Sequence, residues 1–197
     1  MGFLTAWGRV CAVWGNILYS RALFLPAKGK ITMIRGKFLT SMDDITPVLR
    51  VREAVFGPGP AGQRDAGDGM AVYALAFDEA GNPAGSGRLT IEGDRFTLSR
   101  LGVLKEARGK GLGDLIARML LFRAQELNAA AVYVSARLDA VDFYRRYGLT
   151  PMGEVYQENG VPCRLMRAGA EQINLEGACS KGSKNCANCS GNCEACP

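Results

Sequence analysis

The chain has 197 residues, with 24 Lys and Arg against 19 Asp and Glu, and no histidine at all. Its length suits one domain with appendages, and 48% hydrophobic with 22% charged residues is ordinary for a folded globular protein. Without histidine there is no Ser-His-Asp or Cys-His nucleophile system, no His-bound zinc hydrolase and no imidazole acid or base.

Residues 1–32 differ from the rest. They carry Arg9, Arg21, Lys28 and Lys30 and no acidic residue, so they hold four of the five net positive charges. The apolar run from Val10 to Leu25 is broken by Asn16 and Arg21, too short and too polar for a membrane span. No clear small-residue cleavage site follows it. Lys28-Gly29-Lys30 would be encoded by purine-rich codons just ahead of Met33, like a bacterial ribosome-binding site read in frame. Met33 is therefore the expected natural start, and residues 1–32 an N-terminal extension.

From Met33 the pattern becomes regular. Met33–Leu39 reads as a strand with Ile34, Gly36 and Phe38 on one side. Thr46 as a cap and Pro47 behind it predict a helix, with Val48, Leu49, Arg52, Val55 and Phe56 at helical spacing. Residues 57–69 contain five glycines and two prolines and read as a mobile loop of functional length. Three strands follow over Ala71–Asp78, Ala84–Glu92 and Arg95–Val103, separated by Gly81-Asn82 and Gly93-Asp94. The middle one alternates, Leu89 and Ile91 against Arg88, Thr90 and Glu92.

A helix is predicted from Gly111 to Asn128, its inner face formed by Leu112, Leu115, Ile116, Met119, Leu120, Arg123 and Leu127. A buried strand over Ala129–Ala136 comes next. A short helix runs from Asp139 to Tyr147, ended by Gly148. A last strand pair, 149–158 and 161–167, turns at Asn159-Gly160. The order is βαβββαβαββ, a mixed α/β sheet. Residues 169–178 read as a linker and 179–197 as a Cys-rich tail.

Arg108-Gly109-Lys110-Gly111-Leu112-Gly113 joins a strand to a long amphipathic helix. Glycines admit a ligand close to the backbone, the helix start offers unpaired N–H groups, and two cations stand beside them. Together these suit a pyrophosphate. Neither the G-x-x-x-x-G-K-[ST] spacing nor a G-x-G-x-x-G after the first strand is present.

These residues carry a resemblance. Arg108, Gly111 and Gly113 meet [QR]-x-x-G-x-[GA]; Ala140, Phe143, Tyr144 and Gly148 meet A-x-x-F-Y-x-x-x-G. With the strand and helix order, residues 33–168 resemble the GNAT N-acetyltransferase superfamily, and specifically a bacterial subgroup with Val51, Arg52, Val55 and Phe56 in its V-R-x-x-V-F motif. Cys163 stands where that subgroup has His, and Arg137 where it has Gln. The resemblance implies a mostly antiparallel sheet with splayed central strands, flanked by helices. It implies transfer of an acetyl group from acetyl-CoA to a primary amine. The backbone of Leu101, Gly102 and Val103 would bind the pantetheine arm, and Arg108, Gly109, Lys110, Gly111, Leu112 and Gly113 the pyrophosphate. Tyr144 would protonate the departing thiolate, with Tyr147 in reserve.

The base stays open. Glu92, Asp65 and Asp68 read as solvated surface groups, and a water chain is the preferred route for the amine proton. Asp65 and Asp68 would alternatively attract a cationic amine.

Cys186, Cys189, Cys193 and Cys196 form C-x2-C-x3-C-x2-C behind Cys179. The spacer is too short for a zinc ribbon, but four thiolates on a flexible strand suit zinc or another thiophilic metal. Cys11 and Cys163 read as buried apolar residues. The rival to an enzyme is a non-catalytic acyl-CoA-binding or metal-sensing module whose tail is the active part. Expected partners are a small-molecule or peptide amine, with homodimerisation open, and neither nucleic acid nor membrane. The expected location is the cytoplasm.

Overall fold

A computed structural model describes residues 34–175 and, before them, two two-residue strands, Val13–Trp14 and Ile17–Leu18, which pair antiparallel with each other, the second also pairing antiparallel with residues 36–37. The start at Met33, the rest of the extension before it and all five tail cysteines lie outside the described residues. The elements are β1 (Arg35–Thr40), α1 (Thr46–Phe56), β2 (Ala71–Phe77), β3 (Pro83–Glu92), β4 (Arg95–Val103), α2 (Leu112–Glu126), β5 (Ala131–Arg137), α3 (Val141–Arg145), β6 (Thr150–Glu158) and β7 (Val161–Gly169). This is the expected order, a mixed α/β fold with a mostly antiparallel sheet flanked by helices. No helix among the described residues is long and apolar enough to cross a membrane.

The described chain falls into two compact units, residues 34–90 with 99–120, and residues 91–98 with 121–175. In the first, β1 pairs antiparallel with β2 from Arg35↔Phe77 to Thr40↔Val72, and β2 with β3 from Ala71↔Thr90 to Phe77↔Pro83. Helix α1 covers one face, burying Val48 and Val51 against Leu39, Tyr73 and Leu75. Thr46 is the first helical residue rather than the cap; the side chain that reaches the helix start is Asp44, whose Oδ1 accepts the Thr46 N–H at 2.9 Å. Helix α2 is shorter than predicted. Ala117, Leu121 and Ala124 are buried as well as the predicted face, whereas Arg123 and Leu127 are partly exposed.

In the second unit β4 and β5 run parallel through Phe96↔Val132, Thr97↔Tyr133 and Leu98↔Val134. Strand β5 pairs antiparallel with β7, and β7 with β6. Asn159 (φ 51°) and Gly160 (φ 76°) are both left-handed, as a tight two-residue hairpin turn demands. Chain packing continues past β7, since the Asn174 N–H donates to the Tyr147 carbonyl at 3.0 Å.

The largest departure from the pattern reading concerns charge. Arg88 and Thr90 alternate with Leu89 and Ile91 in the sequence, and Asp65 and Asp68 were expected on a mobile loop. Arg52 and Asp68 are fully buried, and Arg88 and Thr90 nearly so. Arg52 grips Asp68 with two hydrogen bonds, Nη1 to Oδ2 at 3.0 Å and Nη2 to Oδ1 at 2.8 Å. Arg88 Nη1 adds a bond to Oδ1 at 2.9 Å, Tyr73 Oη another at 2.8 Å, and the Asp65 amide donates to Oδ2 at 2.9 Å. A buried carboxylate persists only with such company. Residues 66–68 form one 3-10 turn over this cluster, so the end of the glycine-rich loop is pinned by ion pairs.

Burial alone would raise the Asp68 carboxyl. The donated bonds from Arg52, the Asp65 amide, Arg88 and Tyr73 outweigh it and hold the group well below its ordinary 3.8. A depressed folded value means stability that is present above the unfolded value and lost as pH falls below it. Asp68→Ala is expected to cost about 3–5 kcal/mol in urea unfolding at neutral pH, because two guanidinium groups lose their buried partner. Below about pH 4 the stability of the natural chain should fall steeply, and Asp68→Asn should flatten that limb.

Candidate acyl-CoA site

Strand β4 carries the first predicted segment. Its ladder with β5 ends at Leu98, and two residues later Arg100 sits at φ 53°, a left-handed backbone rare for a side chain with a β-carbon. This left-handed residue immediately precedes Leu101-Gly102-Val103. Behind it, helix α1 presses on the strand. A β-carbon at Gly102 would stand 2.7 Å from Val55 Cγ1 and 3.1 Å from Phe56 Cζ. The V-R-x-x-V-F residues thus have two jobs, since Arg52 holds Asp68 while Val55 and Phe56 back the strand at a glycine.

After β4 the Leu104 N–H donates to the Ala84 carbonyl at 2.8 Å, and Lys105–Ala107 make one 3-10 turn. Arg108 reaches back, its Nε donating to the Val103 carbonyl at 3.1 Å. That carbonyl belongs to the predicted segment, and Arg108 takes one of its two acceptor positions. Gly109 (φ 74°) and Gly111 (φ 80°) both need the left-handed backbone. Space beside Gly109 is open, with no heavy atom within 4 Å of where a β-carbon would stand. The Gly111 carbonyl accepts the Leu115 N–H at 3.0 Å, so α2 begins here and its first amides turn toward the loop. Arg108, Gly109, Lys110 and Gly111 are all exposed, and Gly113 partly so, whereas Leu112 is buried and anchors the helix instead. An open glycine loop, a helix N-terminus and two exposed cations fit a pyrophosphate.

All nine predicted binding residues belong to the first unit; Tyr144 belongs to the second. It lies on α3, buried to 8% exposure, its ring edge-on to Phe143 with centroids 5.0 Å apart. Phe143 also meets Tyr147 edge-on at 5.4 Å. The closing glycine of that motif has a steric reason, since a β-carbon on Gly148 would collide with the Gln172 carbonyl at 1.8 Å. Burial pushes the Tyr144 phenol up from its ordinary value. Cys163, in the position where the subgroup resemblance expected His, is a free buried thiol on β7, paired across the sheet with Arg137 and Tyr156.

Asp65 and Asp68 are withdrawn as free carboxylates for an amine or for proton removal. Asp65 accepts from Arg88 Nη1 and from Arg100 Nη2, the latter at 2.9 Å, and Asp68 is enclosed. Among the described residues no cluster of three or more Cys, Asp and Glu is placed to hold a metal.

A family model described as the acetyltransferase (GNAT) domain matches residues 64–169. A Bacillus subtilis protein with an acetyltransferase assignment is 29% identical over 137 residues, spanning 66% of this chain and 92% of that protein. The crystal structure of an acyl-CoA N-acyltransferase from Pseudomonas aeruginosa superposes with a TM-score of 0.60 at 26% identity, covering 68% of this chain and 98% of that one. Escherichia coli ElaA shares the fold, with a TM-score of 0.59 at 24% identity over 68% and 99% of the two chains.

The loop's assignment is open to measurement. Arg108→Ala removes a cation and a bond to the strand carbonyl, and calorimetry should show acetyl-CoA binding weakened about tenfold. Unchanged affinity would leave the loop a mere connection.

Proposed function

The chain belongs to the GNAT acetyltransferase family and is an acyl-CoA-dependent N-acyltransferase, and on that premise we propose that it moves an acetyl group from acetyl-CoA directly to a primary amine. The observation that carries the proposal is the pairing of the strand end Leu101–Val103, set off by the left-handed Arg100, with the open glycine loop and helix start at 108–113. The strand backbone takes the pantetheine arm and the loop takes the pyrophosphate.

Acetyl-CoA supplies an activated thioester carbonyl. The amine must be neutral to attack, and its extra proton leaves through water, since the loop aspartates are committed to arginines. The nitrogen lone pair adds to the carbonyl carbon and a C–N bond forms. Backbone polar groups near Leu101 stabilise the oxyanion. The C–S bond then breaks, the second amine proton leaves, and the thiolate receives a proton to give CoA and an amide.

Tyr144 is the proposed donor to that thiolate. A phenol shifted upward by burial stays protonated at neutral pH, as an acid must. The same shift widens its gap from a thiol, whose ordinary value is about 8.5. A hydrogen bond that strengthens as the C–S bond breaks is the favourable contribution, ahead of early proton transfer.

The remaining assignments rest on the sequence. The acceptor is a small-molecule or peptide amine, the setting a bacterial cytoplasm, and self-association into a homodimer would be compatible. The four tail cysteines, Cys186, Cys189, Cys193 and Cys196, would hold zinc or another thiophilic metal. Equal metal content of the full chain and a chain ending at residue 178, both purified under reductant, would argue against that.

Thiol release from acetyl-CoA with a panel of primary amines tests the activity itself. Release with at least one amine is expected, and none with any would count against it. Tyr144→Phe should lower kcat by about 10²–10⁴ while acetyl-CoA affinity stays nearly unchanged. An unaltered kcat would remove Tyr144 from the role.

A further inference from the structure

The left-handed residue just before Leu101–Val103 needs a cause. Arg100 stands at φ 53°, where a residue with a β-carbon is strained. Such a conformation persists only when its surroundings over-determine it, and here the surroundings are identifiable. Arg100 Nη2 donates to Asp65 Oδ2 at 2.9 Å, and among the described residues this is the hydrogen bond its side chain makes. Its Nε is enclosed without a partner, so the guanidinium is held where Asp65 is rather than where its own bonding would be best. The residue before it is gripped too, Ser99 Oγ accepting from Arg88 Nε at 3.1 Å.

Asp65 is itself fixed. Its Oδ1 accepts the Gly67 N–H at 2.9 Å and a bond from Arg88 Nη1, and its own N–H donates to Asp68. Asp68 is locked to Arg52 on α1. A continuous run of ion pairs therefore leads from α1 through the 65–68 turn to the strained residue of β4.

We propose that Asp65 is a positioning residue for acyl-CoA binding, holding Arg100 in its left-handed conformation and so fixing the backbone of Leu101–Val103. The inference rests on the reading of that strand end as the pantetheine site. Asp65 touches no reacting atom in this account. It acts through Arg100, and its role is distinct from supplying a charge to the amine.

Glycine distinguishes this from a plain structural salt bridge. Without Asp65, an arginine at position 100 relaxes toward the extended region and carries the next carbonyl and amide with it. A glycine accepts the left-handed backbone with no clamp. Isothermal calorimetry with acetyl-CoA should give a dissociation constant raised about tenfold in Asp65→Asn. In that background Arg100→Gly should recover most of the affinity and Arg100→Ala should not. Wild-type affinity in Asp65→Asn, or equal behaviour of the two Arg100 replacements, would overturn the proposal. A salt bridge serving stability alone would lower the melting temperature without that glycine rescue.

Should the wild-type chain bind no acetyl-CoA, the reading of the site fails, and the clamp is still tested without ligand. Asp65→Asn should move the amide ¹H and ¹⁵N resonances of Ser99–Val103, and adding Arg100→Gly should return those of Leu101–Val103 toward their original positions. Resonances of Leu101–Val103 unmoved by Asp65→Asn would overturn it.

Discussion

One buried carboxylate organises the first unit. Asp68 accepts from two arginines, a tyrosine and a backbone amide, and each donor comes from a different segment: α1, β3, β2 and the 65–68 turn. Removing charges from water costs several kcal/mol per ion, and geometry this complete is what offsets it. The consequence is positional. A Gly- and Pro-rich segment that could wander is tied at its end, and the tie reaches the strand proposed to take the pantetheine arm. Tyr73 shows the same coupling from the other side, since burial and the bond to Asp68 raise its phenol.

Much of the fold was legible because periodicity and turn chemistry are local. The ten elements appear in the predicted order, and Asn159-Gly160 turns as its residue types demand. The glycine loop was legible for the same reason: positive φ at Gly109 and Gly111 is a backbone property that only certain residues tolerate. What pattern could not show was partnership. Arg88 and Thr90 alternate with Leu89 and Ile91 as a half-exposed strand would, yet an arginine facing two aspartates is as buried as a leucine. The partners lie 20 and 23 residues away, on a loop whose composition pointed to mobility. Arg52 was recognised as part of a motif, but its buried mate could not be inferred from its helical position alone.

The two motifs also differ in what geometry adds. Around residues 101–113 it supplies reasons: helix α1 forces glycine at 102, and the Arg108 guanidinium fastens the loop to the strand end. Around Tyr144 it supplies a packed aromatic trio and a glycine required by a neighbouring carbonyl. The binding half of the account therefore stands on local structure, whereas the proton-donor half stands on the motif and on a phenol kept protonated by burial. The absence of histidine keeps its force, because the loop carboxylates Asp65 and Asp68 are spoken for by arginines.

The most direct test is an acetyl-CoA titration followed by backbone amide resonances of the full chain. The account requires the largest saturable changes at Leu101–Val103 and Gly109–Gly113. Saturation with those amides unmoved and changes concentrated elsewhere would contradict it.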